Sequence, residues 1–144
     1  MTFLLDVSVL IALIDQNHIA HAITHNWFAR EGRTSWASCA ITENGVLRIV
    51  GHSRYPSATT SPAAVAPILA TVLAQGRHQF WAEDLSLMTS PIIDREMVKT
   101  SGQVTDTYLL ALAVSRGGAL ATLDRRLSPR AVRGGAAALH MIPV

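Results

Sequence analysis

Charge, cysteine and lysine are all scarce in this chain. Charged residues make up 15% of its 144 positions against 49% hydrophobic, so the apolar stretches must be core. The lone Cys39 cannot close an internal disulfide, which excludes a cysteine-rich zinc module and fits a reducing cytoplasm. No apolar run approaches the roughly 18–20 residues of a membrane span, so no membrane association is expected. The first fourteen residues are apolar but hold Asp6 and lack the basic leader of an export signal. GxGxxG and GxxxxGK[ST] are absent, which disfavours a dinucleotide enzyme or a P-loop NTPase. No GxSxG elbow is present to carry a serine nucleophile, and Cys39 has no catalytic setting.

What the chain does have is four separated carboxylates, Asp6, Glu43, Asp106 and Asp124. Each stands where an apolar segment meets a turn or a helix start, in FLLDVSVLIAL, AITENGVL, QVTDTYLLALA and ALATLDRRL. Short hydroxyl side chains lie close by. Singly, each acid has a plain explanation: Asp6 as a cap for a helix beginning near Ser8, Asp106 as an N-cap or first-turn acid, Asp124 as the start of a turn. Glu43 is harder to dismiss, because it lies in the otherwise uncharged stretch TSWASCAITENGVL, where a buried partner or a ligand role suits it. Carboxylates that converge at the edge of an apolar sheet repel one another unless a cation neutralises them. A divalent metal is the simplest such cation.

At this length one compact domain is expected over residues 1–144, burying roughly 68–70% of its unfolded surface. TFLL reads as a short strand delivering Asp6, followed by a helix from Ser8 to about Ile14. A second helix fits His18 to Ala29, with Ile19, Ala22, Ile23 and Phe28 or Trp27 facing inward. Residues 34–37 form a weak strand, and Thr42 caps a helix running to Val50. Residues 51–61 are turn-rich. Pro62 opens a helix that stops before Gly76, HQFWAE is a strand, PIIDREMVKT reads as a short amphipathic helix, and Ser101–Gly102 breaks the chain. Asp106 to Ser115 is helical, ALATL is a strand ending at Asp124, and residues 138–144 make a last strand. Short apolar strands alternating with helices argue a parallel sheet covered on both faces. Ligands bind such sheets at the carboxyl ends of the strands, so all four acids can face one crevice.

In order and approximate spacing, LLDVSVLIAL, the Glu of TENGVL, QVTDTYLLALA and ATLDRRL resemble PIN domains, and most closely the ribonuclease toxins of VapBC-type toxin–antitoxin pairs. The resemblance covers nearly the whole chain. It implies a three-layer α/β/α sandwich with a central, mainly parallel sheet. It also implies an acidic pocket made of Asp6, Glu43, Asp106 and Asp124 that holds Mg²⁺ or Mn²⁺, and cleavage of single-stranded or looped RNA. Many members carry Asn two residues after the first Asp; here Ser8 stands in that place. Ser8 and Thr122 are expected to support the acids through their hydroxyls. Such ions take oxygen ligands, one or two carboxylates with waters completing the shell. Asp6 and Asp106 are the first choice as direct ligands, with Asp124 and Glu43 acting through water, on a second ion or on the nucleophilic water.

The resemblance further implies a small cognate antitoxin, whose Arg or Lys would enter the acidic pocket while its apolar residues cover a groove beside Trp27, Trp36 or Trp81. A homodimer is expected too, from the apolar surplus of segments 40–50 and 62–75. Eleven of the twelve basic residues are Arg, and Arg116, Arg125, Arg126, Arg130 and Arg133 gather in the last third; they suit a phosphodiester substrate or a solvated face. The rival readings are a nuclease of this fold that is not a toxin, a catalytically silent RNA-binding or protein-interaction domain, and a transition-metal site on His18, His21 and His25.

Overall fold

The computed structural model describes residues 1–56 and 61–143. Five short strands, β1 (Phe3–Leu5), β2 (Trp36–Ser38), β3 (His78–Phe80), β4 (Ala119–Thr122) and β5 (Leu139–Met141), form one sheet in the order β3-β2-β1-β4-β5. Every pairing is parallel, with Leu4 beside Ala37 on one side and Leu120 on the other. All carboxyl ends therefore lie along one edge. The two central strands, β1 and β4, are adjacent there, and the chain leaves them at Asp6 and Asp124.

Period-two alternation sorts the apolar strand residues into two cores. Leu5, Trp36 and Ala121 face α1 (Val7–Ile14), α2 (His21–Arg30), α3 (Ala40–Val50) and α4 (Pro62–Leu73). Leu4, Ala37 and Leu120 face α5 (Gly102–Ser115) and the one-turn α6 (Gly135–Ala138). The result is an α/β/α sandwich, and buried α5 residues Leu109–Ala113 explain why its sequence is apolar nearly all round.

Several boundaries differ from the sequence reading, each for a local reason. Thr42 does not cap α3: the helix starts at Ala40 behind Cys39, and the Thr42 hydroxyl accepts the Cys39 N–H at 3.0 Å from inside the first turn. Ser101 and Gly102 do not break the chain, because the Gln103 side chain accepts the N–H groups of Lys99 (2.6 Å) and Thr100 (3.2 Å) and starts α5 there. Asp106 thus sits in the second turn and caps nothing. PIIDREMVKT is not a helix beyond a 3₁₀ turn at Arg95–Met97. Its backbone is committed elsewhere, Asp94 N–H to Ala131 O and Ile92 O to Arg133 N–H. α2 begins at His21, which leaves Ile19 97% exposed and Ile23 partly exposed, while Thr24, Trp27 and Phe28 supply the buried face. The weak strand lies two residues later than expected, at Trp36–Ser38. The last strand is Leu139–Met141, shorter than the 138–144 expected; 57–60 of the turn-rich stretch and Val144 lie outside the described residues.

The helices of 40–50 and 62–75 use most of their apolar residues in this chain's own core. Val46, Val50, Val65, Leu69 and Val72 are buried, leaving Ile49 at 39% and Ile68 at 40% exposure. Among the described residues no helix is long and apolar enough to cross a membrane.

The contact that sets α3 against α1 beside Asp6 depends on Gly45. A Cβ there would come within 2.7 Å of Val7 Cγ2. Gly45→Ala is therefore expected to destabilise the domain by about 1–3 kcal/mol through overpacking, despite the better helix propensity of alanine. Thermal unfolding checks this; an unchanged or raised melting temperature would show that α1 and α3 are not held this closely.

Candidate active site

Asp6 is built in at the end of β1. Its backbone N–H donates to Ala121 O of the neighbouring strand at 3.0 Å, and its side chain caps α1 by accepting the Val7 N–H on Oδ1 at 2.8 Å. Oδ2 accepts the Thr122 hydroxyl at 2.7 Å and, more weakly, the Ser8 hydroxyl at 3.4 Å. Capping and participation in a site are compatible for this residue. Thr122 also accepts the Asp124 N–H at 3.0 Å, so one hydroxyl ties the two acids that leave β1 and β4. Ser8 accepts the Leu123 N–H at 3.4 Å on the same seam.

Asp124 opens a turn in which Oδ1 accepts the Arg126 N–H at 3.0 Å, with the 94% exposed Arg126 guanidinium 3.5 Å away. Asp106 reaches the same crevice from α5. Burial, and then the charges of Asp6 and Asp124, push its carboxyl up to about 6 from an ordinary 3.8. Burial raises Asp6 as well, Asp124 adds to this, and the hydrogen bonds from Thr122, Val7 and Ser8 oppose it. The three carboxylates are thus close enough for the charge of Asp124 to reach both Asp6 and Asp106.

Glu43 stands in the first turn of α3 and is not among the groups that shift Asp6 or Asp106. Its Oε2 accepts the hydroxyl of buried Ser38, the last residue of β2, at 2.6 Å. The single Ser38 proton is then used, so His78 Nε2, 2.7 Å from the same oxygen, must be the protonated nitrogen and donates to it. Burial lowers the His78 pKa and the Glu43 charge opposes this. Ser38 and His78 fix Glu43, and neither was singled out from the sequence. WASC shows only a strand end, and a histidine in HQF on an edge strand carries no signal.

The donor set is consistent with a hard cation. Every chemically relevant atom is a carboxylate oxygen, and among the described residues the ion pairs are Arg116–Asp84 and Arg126–Asp124, so Asp6 and Asp106 have no basic partner. Among the described residues no three His, Cys, Asp or Glu side chains are close enough to enclose an ion. An ion there would therefore be held by one or two of the carboxylates with waters completing its shell.

Other expectations fare differently. Trp27, Trp36 and Trp81 are 4%, 0% and 4% exposed, and Trp27 alone of them is seen at the edge of a recess, one of about 270 Å³ shared with Ile23, Arg30 and Pro143 among the described residues. Their size places them in the cores, with each indole N–H satisfied internally, by Glu31 and His140, by Gln75 O and by Gln79. The histidine run does not converge on an ion: His18 Nδ1 accepts the Ala20 N–H, His21 Nδ1 meets Ala12 O, and His21 and His25 stack with centroids 5.8 Å apart. His21 and His25 flank a cleft between α1, α2 and α4 that contains none of the four acids, whereas His18 lines the cleft that holds Asp6 and Asp124. Of the C-terminal arginines, Arg126 contacts the site, whereas Arg116 pairs with Asp84 and lies over Trp81.

The raised Asp106 pKa has a consequence for stability without metal. A carboxyl whose folded pKa exceeds its unfolded value contributes stability below about pH 4 that is lost as pH rises through about 6. His78, with its lowered pKa, works in the opposite sense. Melting temperatures in EDTA across this window, for the parent and for Asp106→Asn, isolate the acid. The parent should lose about 1 kcal/mol relative to the variant on going from low to neutral pH, after allowance for solvent screening. A pH-independent difference would mean that Asp106 does not feel the other two charges.

Carboxylates gathered at the carboxyl ends of adjacent central strands, in a parallel sheet covered on both faces, define a PIN-type domain, and the family model described as PIN domain matches residues 3–132. Ribonuclease VapC44 of Mycobacterium tuberculosis is 41% identical over 134 residues, 93% of this chain and 94% of that protein. Ribonuclease VapC39 of the same organism is 40% identical over 134 residues, 93% and 96% of the two chains. Ribonuclease VapC38 is 36% identical over 121 residues, 84% of each. The chain belongs to the PIN-domain family, among the VapC ribonucleases.

Proposed function

We propose that this chain is a metal-dependent endoribonuclease, acting as one domain over residues 1–144 and serving as the toxin of a toxin–antitoxin pair. The observation that carries the metal is the trio Asp6, Asp106 and Asp124: the charges of Asp6 and Asp124 add to burial in raising the Asp106 pKa, and Asp6 and Asp106 have no basic partner among the described residues. Asp6 and Asp106 are the direct ligands in this reading, and Asp124 acts through water or on a second ion. Bound Mg²⁺ or Mn²⁺ supplies a Lewis acid that polarises a phosphoryl oxygen and acidifies a water.

The chain's own residues supply the rest. Thr122 and Ser8 hold one Asp6 oxygen, and Val7 N–H holds the other, so the carboxylate is oriented before anything binds. Glu43, steadied by Ser38 and His78, is the acid left to receive a proton or orient the attacking water. The printed names of the relatives, ribonuclease VapC, support RNA as substrate. A silent RNA-binding or protein-interaction domain is disfavoured because all four acids are retained, and a degenerate member would be expected to lose at least one.

The partner is a small antitoxin that places Arg or Lys among the acids, since a cationic side chain can replace the metal's charge there. A homodimer through α4 rests on less, namely exposed Ile68; light scattering at micromolar concentration tests it. The toxin role is tested by expressing the chain with and without the product of the adjacent upstream frame. Growth arrest relieved by that product is the expected result. A harmless chain whose RNA cleavage ignores the product would leave a nuclease that is not a toxin.

A further inference from the structure

An acidic crevice repels phosphate, so if this chain cuts RNA, part of the substrate's binding energy must come from beside the acids. The crevice continues in one direction. A cleft of about 420 Å³ containing Asp6 and Asp124 is also walled by His18, Ile49 and Tyr55. An adjoining recess of about 510 Å³ shares Ile49 and Tyr55 and adds Arg48, His52 and Arg54.

Tyr55 stands between the two. Its phenol O–H donates to the Asp15 carboxylate at the end of α1, and burial followed by that acid pushes its pKa to about 12, so it remains a donor and the ring is pinned. The two histidines share one local device. Ala20 N–H donates to His18 Nδ1 and Arg54 N–H to His52 Nδ1, each at 3.0 Å. A ring nitrogen that accepts a hydrogen bond carries no proton, so in the neutral tautomer each ring carries its N–H at Nε2, which has no acceptor among the described residues. Arg48 and Arg54 are exposed and belong to neither ion pair of the described residues. The surface beyond the acids is therefore an aromatic face and an exposed isoleucine surrounded by hydrogen-bond donors.

We propose that this surface is the subsite for the nucleotide next to the cleaved bond in single-stranded RNA. The base lies on Tyr55 and Ile49, and its phosphate is held by Arg48, Arg54 and the imidazole N–H groups. Single-strand sites combine stacking with guanidinium contacts in this way, and a duplex would not present an unstacked base. The inference rests on the nuclease reading and deepens it by assigning positioning residues that touch neither the metal nor the reacting phosphate.

The test uses a short labelled single-stranded RNA and the full chain. On an Asp106→Asn background with Mg²⁺, which keeps the RNA intact, Arg48→Ala with Arg54→Ala should weaken binding about tenfold or more and lower the slope of log affinity against log salt by about 1.4. In the active protein the same pair should raise KM and leave kcat within about threefold. Tyr55→Leu should weaken binding about tenfold, and Tyr55→Phe, which keeps the ring, should restore most of it. Folded double-arginine variants with unchanged affinity and salt slope overturn the proposal. So does a change in mass by light scattering at unchanged RNA affinity, which makes this face a contact between copies. A parent protein that neither cuts nor binds the RNA removes the nuclease reading and the subsite together; a parent that cuts while the variants bind like it removes the subsite alone.

Discussion

Asp106→Asn is expected to lower RNA cleavage by about a thousandfold or more, because the charge stabilisation a metal supplies to a phosphoryl group is worth several kcal/mol and this variant removes a proposed direct ligand. The fold should survive. Asp106 caps no helix and accepts no hydrogen bond recorded among the described residues, and its carboxylate is held up near 6 by burial and by the other two acids. Removing that charge relieves repulsion, so the metal-free variant should melt at or above the parent's temperature near neutral pH. Retained cleavage would remove Asp106 from the site, and a large loss of melting temperature would show a structural role that its surroundings do not suggest.

Asp6→Asn should cost as much activity but behave differently in stability. Asp6 accepts the Val7 N–H that begins α1 and the buried Thr122 hydroxyl, both on a seam between β1 and β4. Asparagine can keep the Val7 N–H on its oxygen and turn its N–H₂ to the Thr122 hydroxyl, which then accepts, so both contacts persist without the carboxylate charge that strengthened them. Relief of a buried charge and loss of charge-assisted bonds, about 1.5–3 kcal/mol each, oppose each other here, so Asp6→Asn gains less stability from losing its charge than Asp106→Asn does. Lower cleavage with a melting temperature below that of Asp106→Asn is the expected pair of results. Equal stability changes for the two variants would mean that Thr122 and Val7 do not distinguish their environments.

The parallel sandwich was legible in the sequence because its signals are large. Apolar runs of three to five residues separate helical segments, and the acids mark where strands end. Boundaries were less legible where side chains at a distance in sequence settle the backbone. Gln103 starts α5 ahead of a serine and glycine that read as a break, and the main chain of Asp94 and Ile92 is tied to 131–133 rather than wound into a helix. The tryptophans show the limit of residue type as a guide. An aromatic with a polar tip suits a binding groove or a core equally well in sequence, and here each indole finds an internal acceptor.

For the site, convergence of Asp6, Asp106 and Asp124 follows from strand order, which a sequence can suggest through topology alone. The support of Glu43 by Ser38 and His78 does not follow, since it depends on β2 and β3 being neighbours with Ser38 opposite Phe80 in register. Nor does the donor surface around Tyr55, which requires the segment after α3 to return to the end of α1.

Metal dependence of cleavage tests the central claim most directly. Purified protein freed of metal with EDTA and dialysed should leave single-stranded RNA intact. Mg²⁺ or Mn²⁺ should restore cleavage in the parent, with the metal requirement rising as pH falls below about 6, where the acid set must release a proton to bind the ion. Full cleavage in excess EDTA, at a rate indifferent to added Mg²⁺ or Mn²⁺, would contradict the account.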